Sequence, residues 1–251
     1  EGQTSSSGGL SEAPAHTLVF SSNGTSATIE GYEPITVEEQ VKRGGLSLDK
    51  DDGQTVSAQG DAHLDGVVFE IVNRSEHDVV VGGTRFSPGE VVTTLVTDTD
   101  GCASTEHDLL PLGTYEVREA EPGEGYLNTS EAQMVVIDAP DTVFAAETHF
   151  TDTVMRGGLR VGKVSSETAD PVAQGGASLA GTRFSVTSVS AAPVLVDGVL
   201  YRPGSIVAVL TTDEQGRAEL AAEALPYGSY EIREIEAPQG YLLNEEWSQT
   251  I

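Results

Sequence analysis

The sequence predicts an all-β protein built from tandem β-sandwich domains. Three observations lead there. Short runs such as GVVFEIV (66–72), EVVTTLV (90–96), TYEVRE (114–119) and SIVAVLTT (205–212) are rich in β-branched and aromatic residues, the types that fit a pleated, half-buried surface. Pro-Gly, Asp-Gly and Gly-Gly pairs punctuate those runs and supply turn geometry. The chain also repeats itself, and a period near this size marks homologous modules.

Taken in order, RGGLSLDKDD (43–52) matches RGGLRVGKVS (156–165), and GVVFEIVN (66–73) matches GTRFSVTS (181–188). VVGGTRFSPGEVV (80–92) pairs with LVDGVLYRPGSIV (195–207), and VTDTDGCA (96–103) with TTDEQGRA (211–218). LPLGTYEVREAEPGEGY (110–126) pairs with LPYGSYEIREIEAPQGY (225–241). Most of these pairs keep one offset of 115 residues, from Phe69/Phe184 to Tyr126/Tyr241. Residues 15–45 resemble residues 132–158, so 1–43 read as the C-terminal strands of a preceding copy. Residues 44–156 then form a first full domain, and 157–251 a second that stops before its final strand. The chain reads as a segment of something longer; pairing of 15–43 with a second molecule, head to tail, is the more special alternative. EAQMVV (131–136) and AELAAEAL (218–225) tolerate a helix by composition. The second falls where its partner reads STEHDLL (104–110), so no helix is expected there.

Composition removes several function classes. The 251 residues carry 40 acidic and 13 basic side chains, a formal charge of −27. Nucleic acid needs clustered Lys and Arg, and an anionic membrane surface needs the same. No apolar run is long enough to span a bilayer, and no basic-then-apolar leader opens the sequence. The single cysteine, Cys102, allows no intrachain disulfide. A protein stable outside the cell without disulfides needs another device.

One candidate device lies in the first repeat. Leu46, Leu48 and Lys50 alternate, as do Leu159, Val161 and Lys163, and alternate residues of a strand share one face. If that face is the core, both lysines point inward. Glu119 shares a face with Tyr115 and Val117, and Asp152 lies on the last strand of the copy. A desolvated amine loses its proton more easily and a desolvated carboxyl keeps its own. A neutral Lys50 can then attack the Asp152 carboxyl while a protonated Glu119 polarises it and carries protons. The product is an isopeptide bond, and burial alone supplies the effective concentration, with no cofactor.

The motifs G-L-x-L-x-K, L-x-G-x-x-F (Leu64, Gly66, Phe69) and L-P-x-G-x-Y-x-V-x-E-x-x-x-P-x-x-G-Y resemble the B-type repeat domains of Gram-positive collagen adhesins and pilin shafts. The resemblance spans nearly the whole chain. It implies tandem reverse-immunoglobulin (prealbumin-like) sandwiches, with lysine as amine donor, the signature glutamate as catalyst and an Asn or Asp acceptor on the final strand. By position these are Lys50, Glu119 and Asp152; Asp in place of the commoner Asn makes water the leaving molecule. Lys163 and Glu234 are the corresponding pair of the second copy, whose acceptor is not in the chain.

The expected function is therefore mechanical: a stalk or pilin-shaft segment on a Gram-positive cell wall, self-crosslinked but acting on no external substrate. Its expected partners are neighbouring repeats or other pilin subunits. The alternative is an adhesin module that recognises a host matrix glycoprotein or collagen through its loops. Plainer readings compete at each site. The lysine cluster could be an unreacted ion network. Asp98, Asp100 and Asp213 lack EF-hand spacing and suit Asx turns. The five histidines show no metal-ligand spacing, so no metal is expected. Cys102 has only His107 as a candidate base, which is thin support for nucleophilic chemistry. Three Asn-x-Ser/Thr matches, at Asn23, Asn73 and Asn128, carry no meaning in a bacterial protein. Phe86 and Tyr201 suit hairpin packing.

Overall fold

In the computed structural model the described residues are 38–251. The strands expected within 15–43 lie outside them up to residue 37; residues 38–42 form no strand and Arg43 opens the first strand described below. Among the described residues every regular element is a strand.

The first copy contains β1 (Arg43–Asp52), β2 (Val68–Asn73), β3 (Val79–Val81), β4 (Thr84–Phe86), β5 (Val91–Val96) and β6 (Cys102–Ser104). It continues with β7 (Leu110–Pro111), β8 (Gly113–Glu121), β9 (Tyr126–Leu127), β10 (Gln133–Ile137), β11 (Val143–Ala145) and β12 (Phe150–Val154). One sheet runs β11-β1-β12-β9, with β6 and β7 also paired to β1; the other runs β10-β8-β2-β5. Leu46 and Leu48 from the first sheet and Phe69, Ile71, Tyr115 and Val117 from the second meet in one buried cluster. Two sheets that share a core through alternating side chains make a sandwich.

The second copy contains β13 (Arg156–Gly162), β14 (Arg183–Ser188), β15 (Val194–Val196) and β16 (Val199–Tyr201). It ends with β17 (Ile206–Thr211), β18 (Arg217–Pro226), β19 (Tyr230–Glu236) and β20 (Ser248–Thr250). Its large sheet is β17-β14-β19-β20, and β13 pairs with β18. The AELAAEAL run lies inside β18, and Met134 to Val136 of EAQMVV inside β10. Phe69 and Phe184 are both buried, at 0% and 2% exposure, each in its copy's core. Phe86 and Tyr201 pack half-buried against those same cores.

The repeated signatures have physical causes. In L-P-x-G-x-Y, the Tyr115 hydroxyl donates to the Pro111 carbonyl at 2.8 Å, and Tyr230 does the same to Pro226 at 2.8 Å. A buried tyrosine needs such a partner for its hydroxyl. The Asp-x-x-Gly turns close on the lysine strands. The Lys50 N–H donates to Gly101 O at 2.9 Å and the Lys163 N–H to Gly216 O at 2.7 Å. At Gly101 φ is +77° and a Cβ would stand 2.4 Å from the Lys50 carbonyl oxygen, so only glycine fits.

No ladder among the described residues joins a strand of the first copy to one of the second. Only Met155 separates β12 from β13. Gln59, fully buried, donates to both Asp52 carboxylate oxygens at 3.1 Å and accepts from the Leu195 N–H at 3.0 Å. Asp61 accepts from the Ala191 N–H and the Ser229 hydroxyl, each at 2.7 Å. Between them Gly60, at φ +63°, leaves no room for a side chain: a Cβ would fall 2.1 Å from the Tyr227 carbonyl oxygen.

Candidate functional site

The inward face of β1 carries Leu46, Leu48, Lys50 and Asp52 at 0, 2, 1 and 2% exposure. The lysine and aspartate are thus as buried as the leucines, which demands partners for both charges. β12 lies parallel to β1 in the register Lys50↔Phe150 and Asp52↔Asp152. Phe150, Asp152 and Val154 alternate inward along it. The next inward residue past Lys50's neighbour is therefore Asp152, a diagonal reach across one strand pair. From the facing sheet, β8 turns Tyr115, Val117 and Glu119 toward the same place. Phe69, the cross-strand neighbour of Glu119, meets Phe150 with ring centroids 4.8 Å apart. These two rings wall the cluster with apolar surface.

The side chains of Lys50, Glu119 and Asp152 have no exposed surface. Lys50 Nζ lies 2.9 Å from Glu119 Oε2 and 3.0 Å from Asp152 Oδ1. It also donates to Ser130 Oγ at 2.9 Å. Asp152 Oδ1 accepts from the Thr129 N–H at 2.8 Å, the Ser130 N–H at 3.2 Å and the Ser130 hydroxyl at 3.1 Å. Glu119 Oε1 and Asp152 Oδ2 are buried and have no hydrogen-bond partner. A proton shared between the two carboxyls would satisfy both oxygens.

Electrostatics decide which carboxyl holds that proton. Burial, and then the hydrogen bond with Asp152, push Glu119 up to about 7 against the pull of Lys50. Burial acts to raise Asp152 too, but hydrogen bonds from Glu119, the Thr129 N–H and Lys50 outweigh it and hold its carboxyl below the ordinary value. Of the two carboxyls, Glu119 is therefore the one that holds a proton more readily toward neutral pH. The cluster holds an amine, a carboxyl acceptor whose Oδ1 lies 3.0 Å from it, and a second carboxyl 2.9 Å from the same amine. That is the equipment for acyl transfer between two side chains.

Asp52 lies two residues beyond Lys50 but belongs to another network. It accepts from the N–H groups of Gln54 and Thr55, from Gln59 and from the Tyr126 hydroxyl at 2.9 Å. Burial, and then the Asp52 charge, raise the Tyr126 phenol. Sequence reasoning passed over Asp52, Gln59, Thr129 and Ser130. Asp52 had a signal in the same alternation that marks Lys50. Ser130 had none: it sits between β9 and β10, inside the Asn128-Thr129-Ser130 match already set aside.

In the second copy, Lys163 Nζ lies 2.7 Å from Glu234 Oε2, with side-chain exposures of 17% and 2%. No third group of the described residues completes the pair, and Glu234 Oε1 is buried without a partner. The expected inward face of Leu159, Val161 and Lys163 is only half-buried. β13 pairs with β18 alone, whereas β1 has partners on both edges.

The remaining candidates follow the plainer reading. Asp98 Oδ1 accepts from the N–H groups of Asp100 and Cys102, and Asp213 Oδ1 from those of Gln215 and Arg217, as Asx turns do. Cys102 is exposed, and its hydrogen bond with Asp49, then slight burial and nearby aspartates, push the thiol up to about 11. It is protonated at neutral pH and a poor nucleophile.

The family model of the SpaA prealbumin-like fold domain matches residues 46–150 and 159–251. No curated protein matches the chain. Among solved structures, the Bacillus anthracis TIE protein is 22% identical with a TM-score of 0.53, over 84% of this chain and 31% of that one. The chain thus spans about a third of that protein, and the likeness is one of fold. A streptococcal ancillary pilin is 27% identical over 85% of this chain and 60% of its own, with a TM-score of 0.35. The shaft pilin spaA from Lactobacillus rhamnosus GG is 18% identical over 84% of this chain and 93% of its own, with a TM-score of 0.32.

Proposed function

Since the chain belongs to the SpaA prealbumin-like fold domain family, we propose that it is a load-bearing segment of a bacterial surface stalk or pilin shaft, locked by a Lys50–Asp152 isopeptide bond. Residues 44–156 form one module of that segment and 157–251 the next. The chain joins neighbouring repeats or other pilin subunits at the cell wall and turns over no external substrate.

The observation that carries this reading is the contact of Lys50 Nζ with both Glu119 Oε2, at 2.9 Å, and Asp152 Oδ1, at 3.0 Å, in a cluster without solvent exposure. Glu119 passes its proton to Asp152 Oδ2 while its other oxygen takes one from the Lys50 ammonium. All three groups are then neutral. The Lys50 nitrogen attacks the Asp152 carbon, forming the N–C bond. The nitrogen gives up a second proton through Glu119, and the C–O bond to the leaving hydroxyl breaks as water departs. An ammonium and a carboxylate become one amide and one water, and Glu119 ends as it began. Closing a loop of about 100 residues contributes roughly 4 to 5 kcal/mol by analogy with disulfides.

Intact mass spectrometry tests the bond. The folded protein should weigh one water less than its sequence, and proteolysis should yield a branched peptide joining Lys50 to Asp152. Glu119→Ala should fold and keep the full sequence mass. A wild-type protein at full mass, with Lys50 free in the peptide map, would refute the reading.

A further inference from the structure

The two oxygens of Asp152 are treated very differently. Oδ1, 3.0 Å from Lys50 Nζ, lies within reach of three donors on two adjacent residues: the Thr129 N–H, the Ser130 N–H and the Ser130 hydroxyl, at 2.8, 3.2 and 3.1 Å. Oδ2 takes none of these and is buried without a hydrogen-bond partner. The segment that delivers the donors is pinned on both sides. Asn128 Nδ2 donates to the Glu119 carbonyl at 3.2 Å, and the Thr153 N–H donates to Thr129 Oγ1 at 3.1 Å. Ser130 Oγ in turn accepts from Lys50 Nζ at 2.9 Å and lies 3.1 Å from the Thr151 carbonyl oxygen. One short loop is thus tied to the strand of the acid, the strand of the acceptor and the attacking amine.

We propose that Thr129 and Ser130 form an oxyanion hole for the cross-linking reaction, with Ser130 as a further catalytic residue that also holds the attacking amine. This rests on the isopeptide reading above. When Lys50 Nζ bonds to the Asp152 carbon, the C=O π pair moves onto one oxygen. That charge belongs on Oδ1, where two N–H groups already point and to which the Ser130 hydroxyl, placed 3.1 Å from both Oδ1 and the Thr151 carbonyl oxygen, can turn its one proton. Preorganised donors of this kind stabilise a charge that develops in the transition state without reorganising. Collapse returns the pair to the C=O bond and breaks the bond to Oδ2, which leaves as water with protons delivered from nitrogen through Glu119. Oδ1 is therefore the oxygen kept in the amide, and Oδ2 the oxygen lost. The loop's N–H groups come from the backbone, so this machinery leaves no signature in side-chain identity except at Ser130.

A plainer role makes the opposite prediction. If the three donors only satisfy a buried carboxylate, they stabilise the ionised ground state and hold the reaction back. Removing one would then leave the rate unchanged or raise it. Cell-free synthesis of the 251-residue chain, stopped at intervals and read by intact mass, times the loss of water. Ser130→Ala should react about 100- to 1,000-fold more slowly than wild type, and Ser130→Thr, which keeps a hydroxyl, should recover most of the rate. Thermal melts of the same samples show whether Ser130→Ala is folded; should it not fold, Ser130→Gly takes its place. The Asp152→Asn background removes the carboxylate altogether. There the amide oxygen takes the place of Oδ1, ammonia is lost instead of water, and Ser130→Ala should still slow the reaction. If wild type cross-links and Ser130→Ala keeps pace in both backgrounds, the oxyanion hole is wrong and the isopeptide reading stands. If wild type itself never loses water, both fail together, and every sample keeps its full mass.

Discussion

Lys50, Asp52 and Asp152 share one buried patch of sheet, yet the two aspartates do different work. Asp52 has donors on both oxygens and no contact with the lysine. Asp52→Ala should therefore strand several buried donors and cost roughly 2 to 4 kcal/mol, while the cross-link still forms. Urea denaturation in a Glu119→Ala background, free of any covalent lock, measures the first; intact mass of the single variant measures the second. Phe69→Ala and Phe184→Ala should each cost about 3 to 5 kcal/mol in that background, because both rings fill the middle of a core. That Lys50, Glu119 and Asp152 face one buried place was legible in the sequence because each sits on a strand whose period of two fixes its face. Ser130 and the Thr129 N–H were not, because a loop has no period and a backbone donor has no letter. Gln59 was hidden for a related reason: its partners lie in Asp52 and, in the other copy, Leu195.

At the scale of elements, the parallel pairing of β1 with β12 is what brings the start and end of a copy together. Its outer face carries a second contact. His149, just before β12, bonds Asp51 and lies 3.6 Å from Asp49 on the outside of β1. The hydrogen bond to Asp51, then the Asp51 charge and that of Asp49, raise the imidazole above its ordinary value. A raised folded-state pKa stabilises the fold fully below the unfolded histidine's value, about 6.5, and that contribution fades as pH climbs through the folded value. His149→Gln should therefore lower the melting temperature at pH 6 more than at pH 8, by a small amount because the pair is exposed. A melt at each pH on wild type and variant checks it. That every regular element is a strand was legible from the β-branched runs and their turn pairs. The half-exposed face of β13 was not, since the sequence shows alternation but not how many edges of a strand are paired.

At the scale of the molecule, the two copies meet through polar groups with defined partners and one obligatory glycine. Buried amides that are fully satisfied specify a geometry more than they add stability. Asp61→Ala combined with Gln59→Ala should free the copies to tumble separately. Backbone ¹⁵N relaxation should fit one rotational diffusion tensor for residues 44–251 of wild type and two for the double variant; one tensor for both would show that the joint does not depend on these groups.

The register of Lys50 beside Phe150 and Asp152 also fixes how much slack the first copy can release. A bond there takes the roughly 100 residues between Lys50 and Asp152 out of the path of a pull, leaving only the few flanking residues to extend. At ~3.4 Å per extended residue the sequestered chain amounts to about 340 Å of thread. Stretched by its ends in an optical trap, wild type should lack the first copy's unfolding step, and Glu119→Ala should show it at close to that size. With the proposed bond in place the first copy would behave as a fixed-gauge spacer, whose reach stays constant under forces that would unravel the same sheet without it.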